Sequence, residues 1–526
     1  MTHSKQPGPS PLLTLSHGCR LGLLWASLLP SVFIAQTVEI LSASNISRNP
    51  DITTAQRFVG DVMMSHKDAV LRCDSAWRFD NGEVEIFGHV RMDQPPSTTL
   101  QAQYLRLRPN EEWAEARGEV VMTHDGGRLQ APELGYHIGA RKARYRQGAT
   151  IAQEGWKVES QTGLYNAPHD RLELGGGVRA VRDLDTLRSD SLHWLRAEDR
   201  YFFLGPTSWH NNQGFFACLR GDVVMDDAEE QPTGWLAGEV HVREGDNTVS
   251  ADSLRWGKGC SETWGEVRLT DPEVVVEGSY ARRDSRDSTD AVWGHPARLT
   301  QSSSGDTLQV EALHLWKRGE LLKARDSVQF TQGEIRGQGD SLTWQESTST
   351  PTPTPGPNDS RLDLWGTPRL WVNEDALAGD TMRIFLSNRQ PTLLELRGHA
   401  VVRTPANDSL QHLIQGRTLD AHFTEGVLHD VEVHGNVELT YWNLPEADSP
   451  DDLQSPDDLQ SPDDPKSTSA ARRSGNDPAD SPRVNHAVCA EATLSVENRR
   501  IVGIHLRGSP SGRVEPVSQP SDDAGE

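Results

Sequence analysis

Apolar and polar residues alternate over short segments along most of the chain. In the sequence ADSLRW, Leu254 and Trp256 share one side of an extended chain. Ser253 and Arg255 face the opposite side. Turn-forming sequences such as Asp80–Gly82 separate these segments, and no long stretch shows the 3.6-residue period of a helix. The pattern therefore predicts an all-β protein of short antiparallel strands, almost without helices.

Two short phrases return along the chain at a regular spacing. The first, Asp-Ser-Leu-x-Trp or a close variant, occurs at residues 73–77, 189–194, 251–256 and 339–344. The second, Gly-x-Val-x-apolar or a close variant, begins at residues 60, 88, 118, 238, 265, 398 and 435. The second residue of the first phrase, or its counterpart in weaker copies, recurs every 28 to 30 residues, at Asp74, Gln103, Glu133, Gln161 and Asp190. A glycine follows each of these marks by 14 or 15 residues, so each unit of about 29 residues contains two strands.

This period predicts a stack in which each unit buries its apolar face against its neighbours. We expect about twelve two-strand units. The recurrent aspartates are interpreted as hydrogen-bonding groups at strand starts, because a catalytic site is needed once and not in every unit. The recurrent glycines are interpreted as turn or bulge positions.

Composition divides the chain into segments. The stretch from Glu446 to Pro465 holds eight acidic residues and no basic one, which is typical of a solvated, disordered insertion. The predicted segments are a signal peptide or N-terminal anchor (1–35), a first β-jellyroll part (36–210), degenerate repeats (211–346), a Pro/Thr-rich loop (347–359), further repeats (360–444), an acidic insertion (445–484), a last β unit (485–508) and a disordered tail (509–526).

The amino terminus resembles an export signal. Lys5 and Arg20 precede the apolar run Leu21–Ala35, which is shorter than the roughly 20 residues that a spanning helix needs. Phe33 is bulky for a position three residues before a cleavage point, so both a cleaved signal and an uncleaved anchor remain open. We expect the rest of the chain to lie in the periplasm.

The overall composition describes an ordered but thin protein. Hydrophobic residues make up 35% of the chain, yet it contains 15 Trp and 45 Gly. A net charge of −24 disfavours nucleic acid as a partner, because phosphate binding requires basic surfaces. The four cysteines beyond the apolar run show no metal-ligand or disulfide spacing, so we expect single thiols and no metal at Cys73, Cys218, Cys260 and Cys489.

The sequences RFVGDVMMSHKDAVLRCDSAWRF (57–79) and NGEVEIFGHVRM (81–92) resemble the OstA/LptA-like proteins of lipopolysaccharide export, in the long form seen in Bacteroidota. The resemblance is strongest over residues 45–205 and extends more loosely to about residue 440. It implies a twisted, open β-jellyroll half-pipe without enzymatic activity or cofactor. It also implies that the protein holds the acyl chains of lipopolysaccharide or a related glycolipid in a concave groove.

The same resemblance implies partners and a location. Other half-pipe proteins, or further copies of this chain placed end to end, would join by strand addition into a bridge. The protein would lie in the periplasm, anchored to the inner membrane or associated with the outer membrane.

The apolar side of the alternating strands supplies the candidate groove lining. These candidates are Val90, Met92, Leu105, Leu107, Val120, Met122, Leu134, Tyr136, Leu192, Trp194, Leu254, Trp256, Leu342 and Trp344. The same residues are also consistent with an ordinary packed core.

Two other functions remain open from the sequence. A structural or adhesive β-solenoid of the cell envelope would have a filled interior and no groove. A polysaccharide-acting β-helix enzyme would need paired carboxylates at one cleft. Whether the apolar faces close on each other or leave a gap distinguishes the carrier from the solenoid.

Overall fold

The computed structural model describes residues 38–48, 54–212, 214–225, 232–303, 306–346, 359–387, 390–406, 410–443, 483–497 and 500–516. The N-terminal apolar run, and nearly all of the predicted Pro/Thr-rich loop and acidic insertion, lie outside these residues. Within the described part of the chain, no helix is long and apolar enough to cross a bilayer.

The described residues form 34 strands and three short 3-10 helices, and all strands belong to one antiparallel sheet. The first half contains β1 (Glu39–Ser42), β2 (Asn45–Arg48), β3 (Gln56–His66), β4 (Ala69–Arg78), β5 (Val84–Gln94), β6 (Thr98–Arg108), β7 (Trp113–His124), β8 (Gly127–His137), β9 (Lys142–Tyr145), β10 (Ala149–Gln153), β11 (Trp156–Ser160), β12 (Thr162–Asn166), β13 (Arg171–Arg182), β14 (Asp185–Leu195), β15 (Arg200–His210), β16 (Gly214–Val224) and β17 (Thr233–Glu244). The second half contains β18 (Asn247–Gly257), β19 (Cys260–Thr270), β20 (Val274–Asp284), β21 (Thr289–Ser303), β22 (Asp306–Arg318), β23 (Leu321–Gln332), β24 (Ile335–Glu346), β25 (Asp359–Trp365), β26 (Arg369–Val372), β27 (Asp375–Ala378), β28 (Thr381–Ser387), β29 (Gln390–Pro405), β30 (Gln411–Thr424), β31 (Val427–Asn443), β32 (Arg483–Glu497), β33 (Arg500–Arg507) and β34 (Ser511–Pro516). The 3-10 helices are Pro109–Glu111, Ala167–His169 and Arg196–Glu198.

Consecutive strands pair as an antiparallel meander. Twelve of the strands are short, and two short strands together occupy the place of one full strand; each such place is here called a rung. For example, β9 and β10 both pair with β8, each along one half of it. The 34 strands therefore form 28 rungs, or fourteen two-strand units in the described residues, compared with the predicted twelve or so. The predicted all-β, antiparallel jellyroll of repeating units is confirmed.

Each full strand folds back on itself near its middle, which the sequence pattern did not indicate. On β15, the rings of Tyr201 and Trp209 have centroids 5.6 Å apart. Eight residues of straight strand would separate them by roughly 26 Å. The two halves of β15 therefore belong to two facing walls of the sheet, and the apolar side chains of both walls point into the space between them.

The two repeated phrases build this bend. Gly265, from the second phrase, has a left-handed φ of +95° and lies against Asp252 of the preceding strand. A Cβ atom on Gly265 would lie 2.4 Å from the Cβ of Asp252, so the strands can approach this closely only at glycine. The same contact recurs at Gly88–Asp74, Gly118–Gln103, Gly176–Gln161, Gly205–Asp190 and Gly366–Asp340.

The interpretation of the recurrent aspartates as strand-start groups is therefore wrong. Asp74 and Asp252 lie in the middle of β4 and β18, on the outside of the bend. The carboxylate of Asp74 contacts the Nδ1 of His89 at 2.8 Å, across the bend. In β23, Asp326 takes the place of the glycine and adopts a φ of +65°.

At the carboxyl-terminal end, the structure extends further than the sequence suggested. Residues 511–516 were assigned to a disordered tail, but they form β34 and pair with β32. The described thiols of Cys73, Cys218, Cys260 and Cys489 are all free.

Candidate functional site

The fourteen predicted groove residues all lie on the inner side of the folded strands, but most of them are covered. Twelve are buried, from Tyr136 at 0% exposed to Trp344 at 5%. Leu254 and Trp256 are only half-buried. The structure thus places twelve candidates in packed core and two beside an opening.

Between β3 and β15 the two walls are in contact. Tyr136, from β8, donates a hydrogen bond of 2.6 Å from its hydroxyl to Oε1 of Gln94 at the end of β5. The Nε2 of Gln94 donates to Oδ1 of Asp68 at 2.7 Å and to the carbonyl oxygen of Ile138 at 3.0 Å. Burial raises the pKa of Tyr136, so its hydroxyl remains a donor at neutral pH. The buried hydroxyl of Tyr136 and the buried amide of Gln94 therefore have hydrogen-bond partners.

The gap between the two rows of hairpin turns, here called the mouth, is bridged in the same region. Lys67 follows β3 in one row, and Glu112 follows β6 in the other; the two side chains form an ion pair. Asp68 and Arg141 form a second pair at 2.8 Å across the mouth. These contacts hold the walls together over the first strands.

Acidification is expected to loosen this closure. Burial alone would raise the pKa of Asp68, but hydrogen bonds from Arg141 and Gln94 outweigh it, so the pKa lies below its ordinary value. A lowered pKa in the folded state stabilises the structure at neutral pH, and this contribution is lost as the pH falls below about 4. We expect the amides of the β3–β4 turn to lose protection over that range, after correction for intrinsic hydrogen exchange.

The variant Asp68→Asn is the control, because it keeps the shape of the side chain and removes its charge. Its turn should be less protected at neutral pH and should lose less protection on acidification than the turn of the unsubstituted protein, because only the Lys67–Glu112 pair remains. An unchanged pH dependence in this variant would contradict the assignment to Asp68.

From β16 to β20 the walls separate. One wall carries a row of apolar side chains that pair in register from strand to strand. All five are half-buried: Phe216, Val242, Val249, Leu269 and Val276. The residues that continue this row on the neighbouring strands are buried. Trp209 on β15 is 3% exposed, and Leu299 on β21 is 6% exposed. We call this stretch of the interior the open seam.

The composition of the opposite wall explains why the seam is open. On the opposite wall, one cross-strand row begins with Tyr201 in β15 and Val223 in β16. It continues with Gly234 in β17, Trp256 in β18, Ser261 in β19 and Arg283 in β20. Except for Trp256, the residues that follow Val223 in this row are small or polar, and they leave space opposite the apolar row unfilled. The apolar core accordingly divides into two clusters here, one ending near Val240 and the other beginning at Ala251.

The electrostatics of the seam differ between its walls. Arg283 lies at the mouth with 73% of its side chain exposed, and its Nε is 3.6 Å from a carboxylate oxygen of Asp290. Trp256 lies two strands away in the same row. Within the described residues of β17 to β20, neither ion pairs nor side-chain hydrogen bonds cross the mouth. The seam is therefore an accessible groove with one apolar wall and one partly polar wall.

Sequence reasoning identified two residues of the seam, Leu254 and Trp256, and missed the apolar row. Val249 and Val242 follow the same alternation as the candidates, so alternation alone could not single them out. The sequence signal for the seam is a pair of polar residues, Ser261 and Arg283, at inward positions of the half-strands that face the apolar row. These positions can be recognised as facing the row only when the pairing register of the strands is known.

Comparison with known proteins adds a family assignment for the first part of the chain. Residues 33–190 match the family model described as OstA-like protein. Among solved structures, the chain is similar to LptH of Pseudomonas aeruginosa, the LptA-homologous periplasmic component of the lipopolysaccharide transport device. That match has 17% identity and a TM-score of 0.18, and covers 21% of this chain and 90% of LptH. No curated protein matches the chain.

The open seam begins after the matched region, while the closed mouth and the packed interior of β3 to β13 lie within it. Over residues 33–190, the chain is similar to the OstA-like protein family.

Proposed function

We propose that this protein is a non-enzymatic periplasmic carrier of lipopolysaccharide or a related glycolipid, on the way to the outer membrane. The acyl chains lie in the open seam, against the apolar row from Phe216 to Val276. The single observation that carries the proposal is that this row is continuous and remains half-exposed where its neighbours are buried.

The physical argument is the cost of exposing hydrocarbon to water. An acyl chain that leaves the membrane loses about 0.8 kcal/mol per exposed CH₂ group, so a carrier must offer it an apolar surface. The row on β16 to β20 offers that surface, and its own exposed area is covered when a chain binds. The opposite wall, with Ser261 and Arg283, can meet the polar part of an amphipathic ligand.

The ends of the sheet supply a means of assembly. In the described residues, β1 and β2 pair only with β3, and β33 and β34 pair only with β32. Each end therefore presents strand edges with unpaired backbone groups, which favour strand addition. Such joining, to another half-pipe protein or to a second copy, would extend the carrier across the periplasm.

Site-specific photo-crosslinking tests the lipid contact. A benzophenone amino acid at Val249, in the apolar row, is expected to form adducts with glycolipid when the full-length protein is expressed in cells with radiolabelled lipopolysaccharide. The same probe at Ser250, one residue on and facing outward beside His241, is the matched control. Adducts at position 249 and few or none at position 250 would support the proposal.

Equal labelling at both positions, or no lipid adduct at either, would contradict it. The second outcome would favour a structural β-solenoid of the envelope. The packed interior of β3 to β15 is the observation in favour of that second candidate, since the ten candidate groove residues on those strands are all buried as core side chains.

A further inference from the structure

The outer face of the sheet carries aromatic residues where an alternating strand should present polar ones. Trp264, Tyr280 and Trp293 occupy one cross-strand row on β19, β20 and β21. Their ring centroids are 5.6 Å and 4.9 Å apart, and His314 on β22 continues the row at 6.3 Å from Trp293. Trp264 remains 38% exposed. The row is thus an aromatic strip open to solvent.

A hollow of about 380 Å³ lies at the end of this strip. Six outward side chains, two from each of three adjacent strands, surround it: Ala291, Trp293, His314, Trp316, Lys323 and Arg325. Ala291 pairs in register with Trp316, so the small side chain leaves a space beside the indole ring. A hollow of this volume is within the range of small-molecule sites.

Two cations on the rim of the hollow lack acidic partners. Several other arginines of the outer face pair with carboxylates, as Arg298 does with Glu311 at 2.7 Å. In the described residues, Lys323 contacts the ring of Trp316 at 5.3 Å but no carboxylate, and Arg325 has no ion-pair partner. The nearby carboxylate of Asp326 is engaged by Nδ1 of His314 at 2.9 Å. The hollow therefore combines aromatic side chains with two cations that form no ion pair in the described residues, in a chain of net charge −24.

We propose that this hollow binds a phosphorylated sugar. The C–H faces of a sugar ring pack on the electron-rich face of an aromatic ring, which Trp293 and Trp316 provide. A phosphate group suits Lys323 and Arg325, which have no carboxylate partner in the described residues, because Lys and Arg side chains form charge-assisted hydrogen bonds to its oxygens. The site is on the outer face and does not depend on lipid binding in the seam.

Saturation-transfer NMR on the full-length protein tests the site with N-acetylglucosamine 1-phosphate and N-acetylglucosamine. Inorganic phosphate has no carbon-bound protons, so its affinity is measured by its ability to displace the sugar phosphate. The sugar phosphate is expected to bind at least about tenfold more tightly than the neutral sugar, as one charge-assisted hydrogen bond would give. The double variant Lys323→Gln/Arg325→Gln should reduce its affinity to that of the neutral sugar. Trp316→Ala should abolish transfer from the protein to the ring protons of both sugars.

Two exposed residues away from the hollow serve as matched controls. Trp235→Ala, on β17, and Arg336→Gln, on β24, should leave sugar binding unchanged. No saturation transfer to any sugar, or equal losses in the control variants, would overturn the proposal. Binding of inorganic phosphate as tight as that of the sugar phosphate would also overturn it, because the aromatic residues would then contribute nothing.

A deacylated, phosphorylated lipopolysaccharide oligosaccharide distinguishes a glycan chain from a single sugar. Tighter binding than the monosaccharide would support a chain lying along Trp293, Tyr280 and Trp264. Equal affinity would support a site for one phosphorylated sugar, confined to the hollow.

Discussion

The substitution Gly265→Ala is expected to lower the local stability of the β18–β19 pair by about 2–5 kcal/mol. Two costs add. A left-handed φ of +95° is unfavourable for any residue with a Cβ. In addition, the new methyl group would lie 2.4 Å from the Cβ of Asp252, so the two strands would have to move apart at the bend. The amides of both strands should lose protection against hydrogen exchange.

Gly245→Ala is the matched control, because Gly245 precedes the same strand β18 and also has a left-handed φ, of +59°. A Cβ atom there would meet nothing within 4 Å, so only the cost of the backbone conformation applies, about 1–2 kcal/mol. Adding Asp252→Gly to Gly265→Ala should recover part of the loss by removing the contact. Equal effects at positions 265 and 245, with no recovery, would show that close approach at the bend is unimportant.

The bend also marks the limit of what the sequence could predict. The period of about 29 residues and the alternation in segments such as ADSLRW predicted the strands, their order and their inner faces. They did not predict that Asp252 meets Gly265, because alternation shows which side chains share a face but not where a strand folds back. A glycine in a strand is compatible with a turn, a bulge or a close approach, and only the register distinguishes these.

The same limit applies to the candidate site. Leu105 and Leu254 occupy equivalent positions in the repeat, and the sequence treated both as groove lining. Leu105 is 0% exposed, whereas Leu254 is half-buried, because burial depends on the facing wall as well as on the residue itself. The inward Arg283 and Ser261 open the wall opposite Leu269 and Val276, and nothing in the local sequence of β18 reports this.

On the outer face, the sequence already contained aromatic residues at positions where alternation predicts polar ones, but these residues were not interpreted. Outward positions of a half-exposed sheet are normally polar. Trp264 and Tyr280 break that rule at paired positions on adjacent strands. Trp264 is exposed and Tyr280 is only half-buried, so core packing does not account for this aromatic pair, which favours a binding role.

The substitution Val249→Asp is expected to reduce glycolipid binding more than tenfold while leaving the fold intact. Val249 lies in the middle of the apolar row, paired with Val242 and Leu269. An acyl chain bound there would have to cover a carboxylate, and burying an unpaired charge costs far more than the roughly 1.4 kcal/mol that corresponds to a tenfold change. The side chain itself is half-exposed and belongs to neither core cluster, so the free protein can hydrate the new charge.

Two further variants separate binding from folding in this experiment. Leu105→Asp buries the same charge in packed core and should destabilise the protein by several kcal/mol, with loss of β-sheet circular dichroism. Ser250→Asp places the charge on the outer face of the same strand and should change neither property. Binding is measured by displacement of a fluorescent lipopolysaccharide from the full-length protein. If Val249→Asp bound lipid as well as Ser250→Asp does, the seam would not be the site of the acyl chains, because a charge in the centre of the apolar row cannot be neutral to a hydrocarbon ligand in contact with it.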